Sequence, residues 1–131
     1  MQLRTITLDD HKKLIPFWGG NYFVTEMDNI SHFQLFLEKN PDLSVLIEKN
    51  GEVIGTALGS YDGRRGYIQK VVTSKKSRNQ GIGRQVVLEV IRRLKSAGAL
   101  YIPISVEPEL ISFYKKCGFV RKDSTSMSLE L

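Results

Sequence analysis

Cysteine is nearly missing from this chain: Cys117 stands alone among 131 residues, so no internal disulfide can form and the fold has to close on its own apolar core. Histidine is almost as scarce. His11 and His32 are the only two, they share no ligand spacing with Cys117, and no metal site is expected. No apolar run approaches the ~18 residues of a membrane span, and Met1-Gln2-Leu3-Arg4-Thr5 lacks the apolar stretch of a secretory signal. A soluble protein with a cytoplasmic address is the default expectation. Repeats, low-complexity tracts and linkers are missing as well, which leaves a single domain over residues 1–131. Apolar residues at 41% and charged residues at 25% are ordinary for a globular protein, so none of these absences signals disorder.

Positive charge is in excess. The net +5 favours anionic partners without choosing among nucleic acid, membrane surface and a phosphorylated cofactor. Placement says more than the total, because Lys70, Lys75, Lys76, Arg78 and Arg84 bracket Gly81 and Gly83.

Periodicity gives the elements around that cluster. Residues 2–7 alternate as a strand, and Thr7 with Asp10 resembles a capping box opening a helix through Phe17. A second helix from Ser31 carries Phe33, Phe36 and Leu37 at helical spacing and ends near Asn40-Pro41. Residues 44–49 and 52–61 read as strands joined by Asn50-Gly51, a pair that tolerates the positive φ of a type I′ turn. After the turn Asp62-Gly63-Arg64-Arg65-Gly66 comes a third strand, 67–73. From Gly81 to Ala97 the period changes: Ile82, Val86, Val87, Val90, Ile91 and Leu94 share one helical face. Gly98 stops this helix, and the β-branched run 100–106 reads as a buried strand parallel to the one before it. Pro108 opens a last helix through Lys116, Gly118 ends it, and 119–131 is extended. The architecture is α/β with a mixed sheet.

The chemistry concentrates where strand 67–73 turns into the long helix. Gly81 and Gly83 let an anion approach the backbone, the first helical N–H groups lack intrahelical partners, and the helix dipole favours negative charge, so a pyrophosphate fits there. A Walker loop would need Gly-x-x-x-x-Gly-Lys-Ser/Thr, and a dinucleotide fingerprint needs a third glycine where Val86 stands. The plain alternative is a tight strand-to-helix connection.

Arg78-x-x-Gly81-x-Gly83 resembles the Arg/Gln-x-x-Gly-x-Gly/Ala signature of the GNAT superfamily of N-acetyltransferases. Phe113-Tyr114-Lys115-Lys116-Cys117-Gly118-Phe119 resembles its C-terminal Leu-Tyr-x-x-x-Gly-Phe element, one strand and one helix further on. Taken with the hairpin and two helices before it, the resemblance spans essentially the whole chain. It implies a GNAT-type fold: a mixed, mostly antiparallel sheet with a central β-α-β acyl-CoA-binding unit and about four helices. It also implies acetyl-CoA as co-substrate. Val71, Val72 and Thr73 would pair with the pantetheine arm, with the Val71 N–H aimed at the thioester carbonyl. Arg78, Asn79, Gln80, Gly81, Ile82, Gly83 and Arg84 would hold the pyrophosphate. Lys75, Lys76 or Arg84 would neutralise the outlying phosphate or simply be solvated.

Tyr114 corresponds to the tyrosine that protonates the departing thiolate in many members, with aromatic packing against the cofactor as the alternative. Glu107 replaces an asparagine common seven residues before that tyrosine. A carboxylate there can take a proton from the attacking ammonium, or it can be a solvated helix-start acid. Glu26, Asp28, Asp62 and Glu109 are further candidates for the base. Cys117 has no partner for a nucleophilic role and reads as a small helix-end residue. The acceptor side would be built from residues 17–30, where Trp18, Tyr22 and Phe23 form a pocket wall or a core flap. Three functional classes follow: an amine acetyltransferase acting on a small molecule or peptide, a silent acyl-CoA sensor, and an RNA-directed acetyltransferase. The expected partner is the amine, with a homodimer open and neither membrane nor nucleic acid expected.

Overall fold

The computed structural model describes residues 1–131. Four strands, β1 (Gln2–Thr5), β2 (Val45–Lys49), β3 (Glu52–Tyr61) and β4 (Gly66–Thr73), form one sheet in the order β1-β2-β3-β4, every neighbouring pair antiparallel. Four α-helices, α1 (His11–Asn21), α2 (Ile30–Lys39), α3 (Ile82–Ala97) and α4 (Ile111–Lys116), complete it. The β2–β3 hairpin turns on Asn50 and Gly51, whose φ angles of 53° and 77° are those a type I′ turn requires.

The sheet is covered on both sides. Alternate residues of β2 point to opposite faces, so Val45 and Ile47 join a core with Ile82, Val86, Val87, Val90 and Leu94 of α3, while Leu46 joins Leu14, Phe17, Trp18 and Phe33 of α1 and α2. Helix α3 lies close on β3 because two glycines stand beneath it. A Cβ at Gly55 would run into Ile82 Cγ2, and one at Gly59 would meet the Leu43 carbonyl oxygen and lie 2.7 Å from Val90 Cγ1. Since a backbone carbonyl cannot rotate away, Gly59→Ala is expected to lower stability by about 2 kcal/mol, read as a reduced denaturation midpoint with an unchanged m-value.

Three sequence expectations need correction. Helix α1 runs past Phe17 through Gly19-Gly20 to Asn21, because Trp18 is fully buried and its indole N–H donates to Thr56 Oγ1 at 3.0 Å; tertiary packing outweighs the low helix propensity of glycine. Residues 100–106 form no strand. Pro103 has no N–H to offer a ladder, Leu100 is 97% exposed, and the segment's one backbone hydrogen bond to β4 runs from Gly66 N to Tyr101 O at 2.9 Å. The tail 119–131 is extended as expected and joins no ladder. The sheet is therefore purely antiparallel, and the segment after α3 lies beside β4 without closing a parallel ladder.

Candidate active site

Because β4 is the last strand of the sheet and the 100–106 segment hydrogen-bonds to its backbone only at Gly66, the backbone edge from Tyr67 to Thr73 stays open. An open strand edge offers N–H and C=O groups to an extended ligand. Val72 is buried, while Val71 and Thr73 are half-buried. The register slips between Thr56 and Leu58, so that β4 carries one extra residue there; the slip coincides with Lys70, whose φ is 50°. The bulge thus comprises Lys70 and Val71 and re-aims the strand there.

The open edge leads through a short turn, Lys75–Ser77, into the start of α3. Asn79 and Gly81 adopt φ angles of 64° and 78°, and Gly81 caps the helix with no side chain bonded across its end. The first intrahelical bond is Gln85 N to Gly81 O, 3.1 Å. The N–H groups of Ile82, Gly83 and Arg84 therefore have no partner within the helix. Gly83 has a different task from Gly81. A Cβ on it would sit 3.2 Å from both Phe113 Cζ and Thr73 Oγ1, so its bareness lets α4 and the end of β4 converge on the turn. Arg78, Asn79, Gln80 and Arg84 are exposed. Lys75, Lys76, Arg78 and Arg84 take part in no ion pair, leaving four cations free around an uncapped helix start, a setting that fits a pyrophosphate and an outlying phosphate.

Phe113 brings the second motif onto the first. Tyr114 follows it with its ring buried, edge-on to Phe113 and Phe119 at 4.9 and 5.7 Å. Its hydroxyl makes no hydrogen bond within the chain, and because no buried side-chain oxygen or nitrogen lacks a partner, that hydroxyl reaches the surface. Burial pushes its pKa up to about 12, with smaller contributions from Cys117 and Tyr22. Tyr22 belongs to the 22–29 segment between α1 and α2. Cys117 is buried, and its thiol is shifted upward by desolvation, partly offset by Arg84; a thiol held protonated is inert, as its helix-end role requires.

The candidate bases separate. Asp62 accepts from Arg64 N and Arg65 N at 2.7 Å each, bonds that lower its pKa, and it lies beyond the Gly66 end of β4, away from Thr73. Asp28 is buried and committed to Lys70 at 3.0 Å and to Thr25 N at 2.9 Å. Glu26, Glu107 and Glu109 are exposed and unpaired. A cleft of about 1020 Å³ contains Glu107 and Tyr114 but no residue of 71–84. It is the space between α3, α4 and the two unpaired segments, distinct from the β4 edge.

Sequence reasoning missed Lys70 as anything more than a basic residue. Its ammonium sits among Trp18, Tyr22 and Phe23, 5.1, 5.5 and 4.5 Å from their ring centroids. Of those three aromatics Trp18 is core, whereas Tyr22 and Phe23 are exposed.

An open strand edge running into an uncapped, cation-ringed helix start is the arrangement expected of the GNAT class. A sequence model described as Acetyltransferase (GNAT) family matches residues 8–119, and the chain belongs to that family of acetyltransferases. An acetyltransferase of Sodalis glossinidius is 28% identical over 132 residues, covering 95% of this chain and 90% of the relative. Among solved structures, glucosamine-6-phosphate N-acetyltransferase from Arabidopsis thaliana superposes with a TM-score of 0.77 at 23% identity, covering 98% of this chain and 97% of that one. PaiA N-acetyltransferase from Thermoplasma acidophilum, in complex with coenzyme A, gives 0.77 at 14% identity over 95% and 92%.

Proposed function

We propose that this acetyltransferase moves the acetyl group of acetyl-CoA to a primary amine of a small molecule or peptide, by direct attack in a ternary complex. The observation that carries the reading is the continuity of β4's free edge with the uncapped start of α3. Val71, Val72 and Thr73 would hold the pantetheine arm by strand-like pairing, and the backbone from Asn79 to Arg84, with Arg78 beside it, would hold the pyrophosphate. The Val71 N–H, directed by the bulge, would polarise the thioester carbonyl where negative charge develops. Glu107, with Glu26 and Glu109 as the other unpaired candidates, would take the ammonium proton directly or through water. Tyr114 would face the departing sulfur. The coenzyme A bound by the Thermoplasma enzyme and the amino sugar named for the Arabidopsis one both accord with this reading.

Thiol release in the presence of acetyl-CoA and a panel containing spermidine, glucosamine 6-phosphate, amino acids, peptides and aminoacyl-tRNA tests it. Release with at least one small amine or peptide is expected. A thermal shift with acetyl-CoA but no thiol release with any amine would identify a sensor. Turnover confined to aminoacyl-tRNA, with affinity falling steeply as salt rises, would identify an RNA-directed enzyme.

A further inference from the structure

Lys70 reaches across the fold with both its backbone and its side chain. Its carbonyl accepts from Thr56 Oγ1 at 2.8 Å, and Thr56 in turn accepts from the Trp18 indole. Its ammonium donates to Phe23 O at 2.7 Å and pairs with Asp28 Oδ2 at 3.0 Å, the side chains being 10% and 9% exposed. Three aromatic faces enclose the same cation. Asp28 anchors the rest of the segment, accepting from Thr25 N through its carboxylate and bonding His11 Nε2 through its carbonyl at 2.8 Å. A second tie runs from Lys75 N to Asn21 Oδ1, 2.9 Å. Residues 22–29 are thus fastened to β4 at the bulge, and the end of α1 just beyond the strand's end, while Tyr22, Phe23, Val24 and Met27 stay exposed.

A lysine with positive φ is strained, and such strain persists only where the surroundings over-determine it. Here the Thr56 bond fixes the carbonyl and the buried ion pair fixes the side chain. We infer that Lys70 is a positioning residue: its ammonium clasps the 22–29 segment against the β4 bulge, holding Tyr22 and Phe23 as an acceptor-side wall and fixing the peptide that presents Val71 N–H to the thioester. The second half of this statement rests on the proposed acetyl-CoA site; the clasp itself does not. The wall and the carbonyl-polarising peptide are one unit, so loosening the wall also blunts the polarisation.

The test uses Lys70→Ala, Lys70→Arg and wild type. Truncation to alanine removes the equivalent of propylamine, so propylammonium chloride is the rescuing cation. Amide hydrogen exchange of residues 22–29 in the free protein should speed up by at least about tenfold in Lys70→Ala while β2 and β3 keep their protection. Propylammonium should slow it again, and Lys70→Arg should stay near wild type. With acetyl-CoA labelled with ¹³C at the thioester carbonyl, the bound resonance in Lys70→Ala should move back toward its free-solution position, with Kd within about threefold of wild type. If the uncompensated Asp28 carboxylate unfolds that variant, Lys70→Met with Asp28→Leu removes both charges and reads the same quantities. Unchanged exchange of 22–29, or a carbonyl resonance equal to wild type, would overturn the inference. Failure of wild type to bind acetyl-CoA would instead sink the proposed function, and the exchange arm would still decide the clasp.

Discussion

Gly83→Val should weaken acetyl-CoA binding by at least about a hundredfold, close to 2.7 kcal/mol, in a protein that still folds. The added side chain enters a space where even its Cβ would lie 3.2 Å from Phe113 Cζ and Thr73 Oγ1. Phe113 carries α4 and Thr73 ends β4, so relief of the contact separates both from the turn and disperses the donors of Ile82, Gly83 and Arg84. Overpacking of this kind typically costs 1–3 kcal/mol of stability, which circular dichroism and a denaturation curve separate from the binding loss. Gly81→Ala provides the contrast. Nothing lies within 4 Å of a Cβ there, but φ is +78°, so its effect is a strain of roughly 1 kcal/mol and a smaller affinity loss. Titration by calorimetry orders the two variants, and equal affinity in Gly83→Val and wild type would remove the pyrophosphate from this turn.

Tyr114→Phe should lower kcat by about a hundredfold with acetyl-CoA affinity unchanged. Phenylalanine keeps the ring and its edge-on contacts with Phe113 and Phe119 and deletes only the hydroxyl that reaches the surface. The pKa of about 12 refines the role. Against a thiol near 8.5, a phenol of that acidity does not yield its proton readily; in the proposed mechanism it would stabilise the departing thiolate by a hydrogen bond while solvent completes protonation. Since a raised pKa keeps the phenol neutral as pH rises, ionisation of Tyr114 should impose no alkaline fall in wild-type turnover below about pH 11. Tyr114→Ala should differ in kind, destabilising the protein by about 3 kcal/mol through loss of a buried aromatic. Equal kcat in Tyr114→Phe and wild type across the pH range would leave the ring a packing role only.

The legible parts of the fold are those written in local sequence. Asn50-Gly51 names its own turn because few other residues accept two successive positive φ angles. The face from Ile82 to Leu94 declares α3 by period, and Gly98, at φ 117°, ends it. The meeting of the two motifs was legible only as order along the chain; its physical form is Phe113 over Gly83.

Long-range geometry hid the rest. Lys70 and the Phe23 carbonyl are 47 residues apart, and nothing local in Gln69-Lys70-Val71 announces a bulge. Gly55 and Gly59 look like weak points in a strand until α3 is laid over them. The run from Leu100 to Val106 has strand composition, yet pairing is a property of two partners, and Pro103 with the divergence after Gly66 denies it a ladder. That same divergence leaves the β4 edge open, so the missing strand and the candidate site have one cause.

The central claim is tested most directly by following a labelled acetyl group. Acetyl-CoA carrying ¹³C in its acetyl carbons is incubated with the enzyme and the fastest amine of the panel, and thiol and product are counted together by thiol titration and mass spectrometry. The account predicts one labelled acetyl on the amine nitrogen for each thiol released, with transfer slowed by Tyr114→Phe and lost at low acetyl-CoA in Gly83→Val. Thiol released without acetylated amine, or equal transfer by Gly83→Val and wild type at low acetyl-CoA, would contradict it.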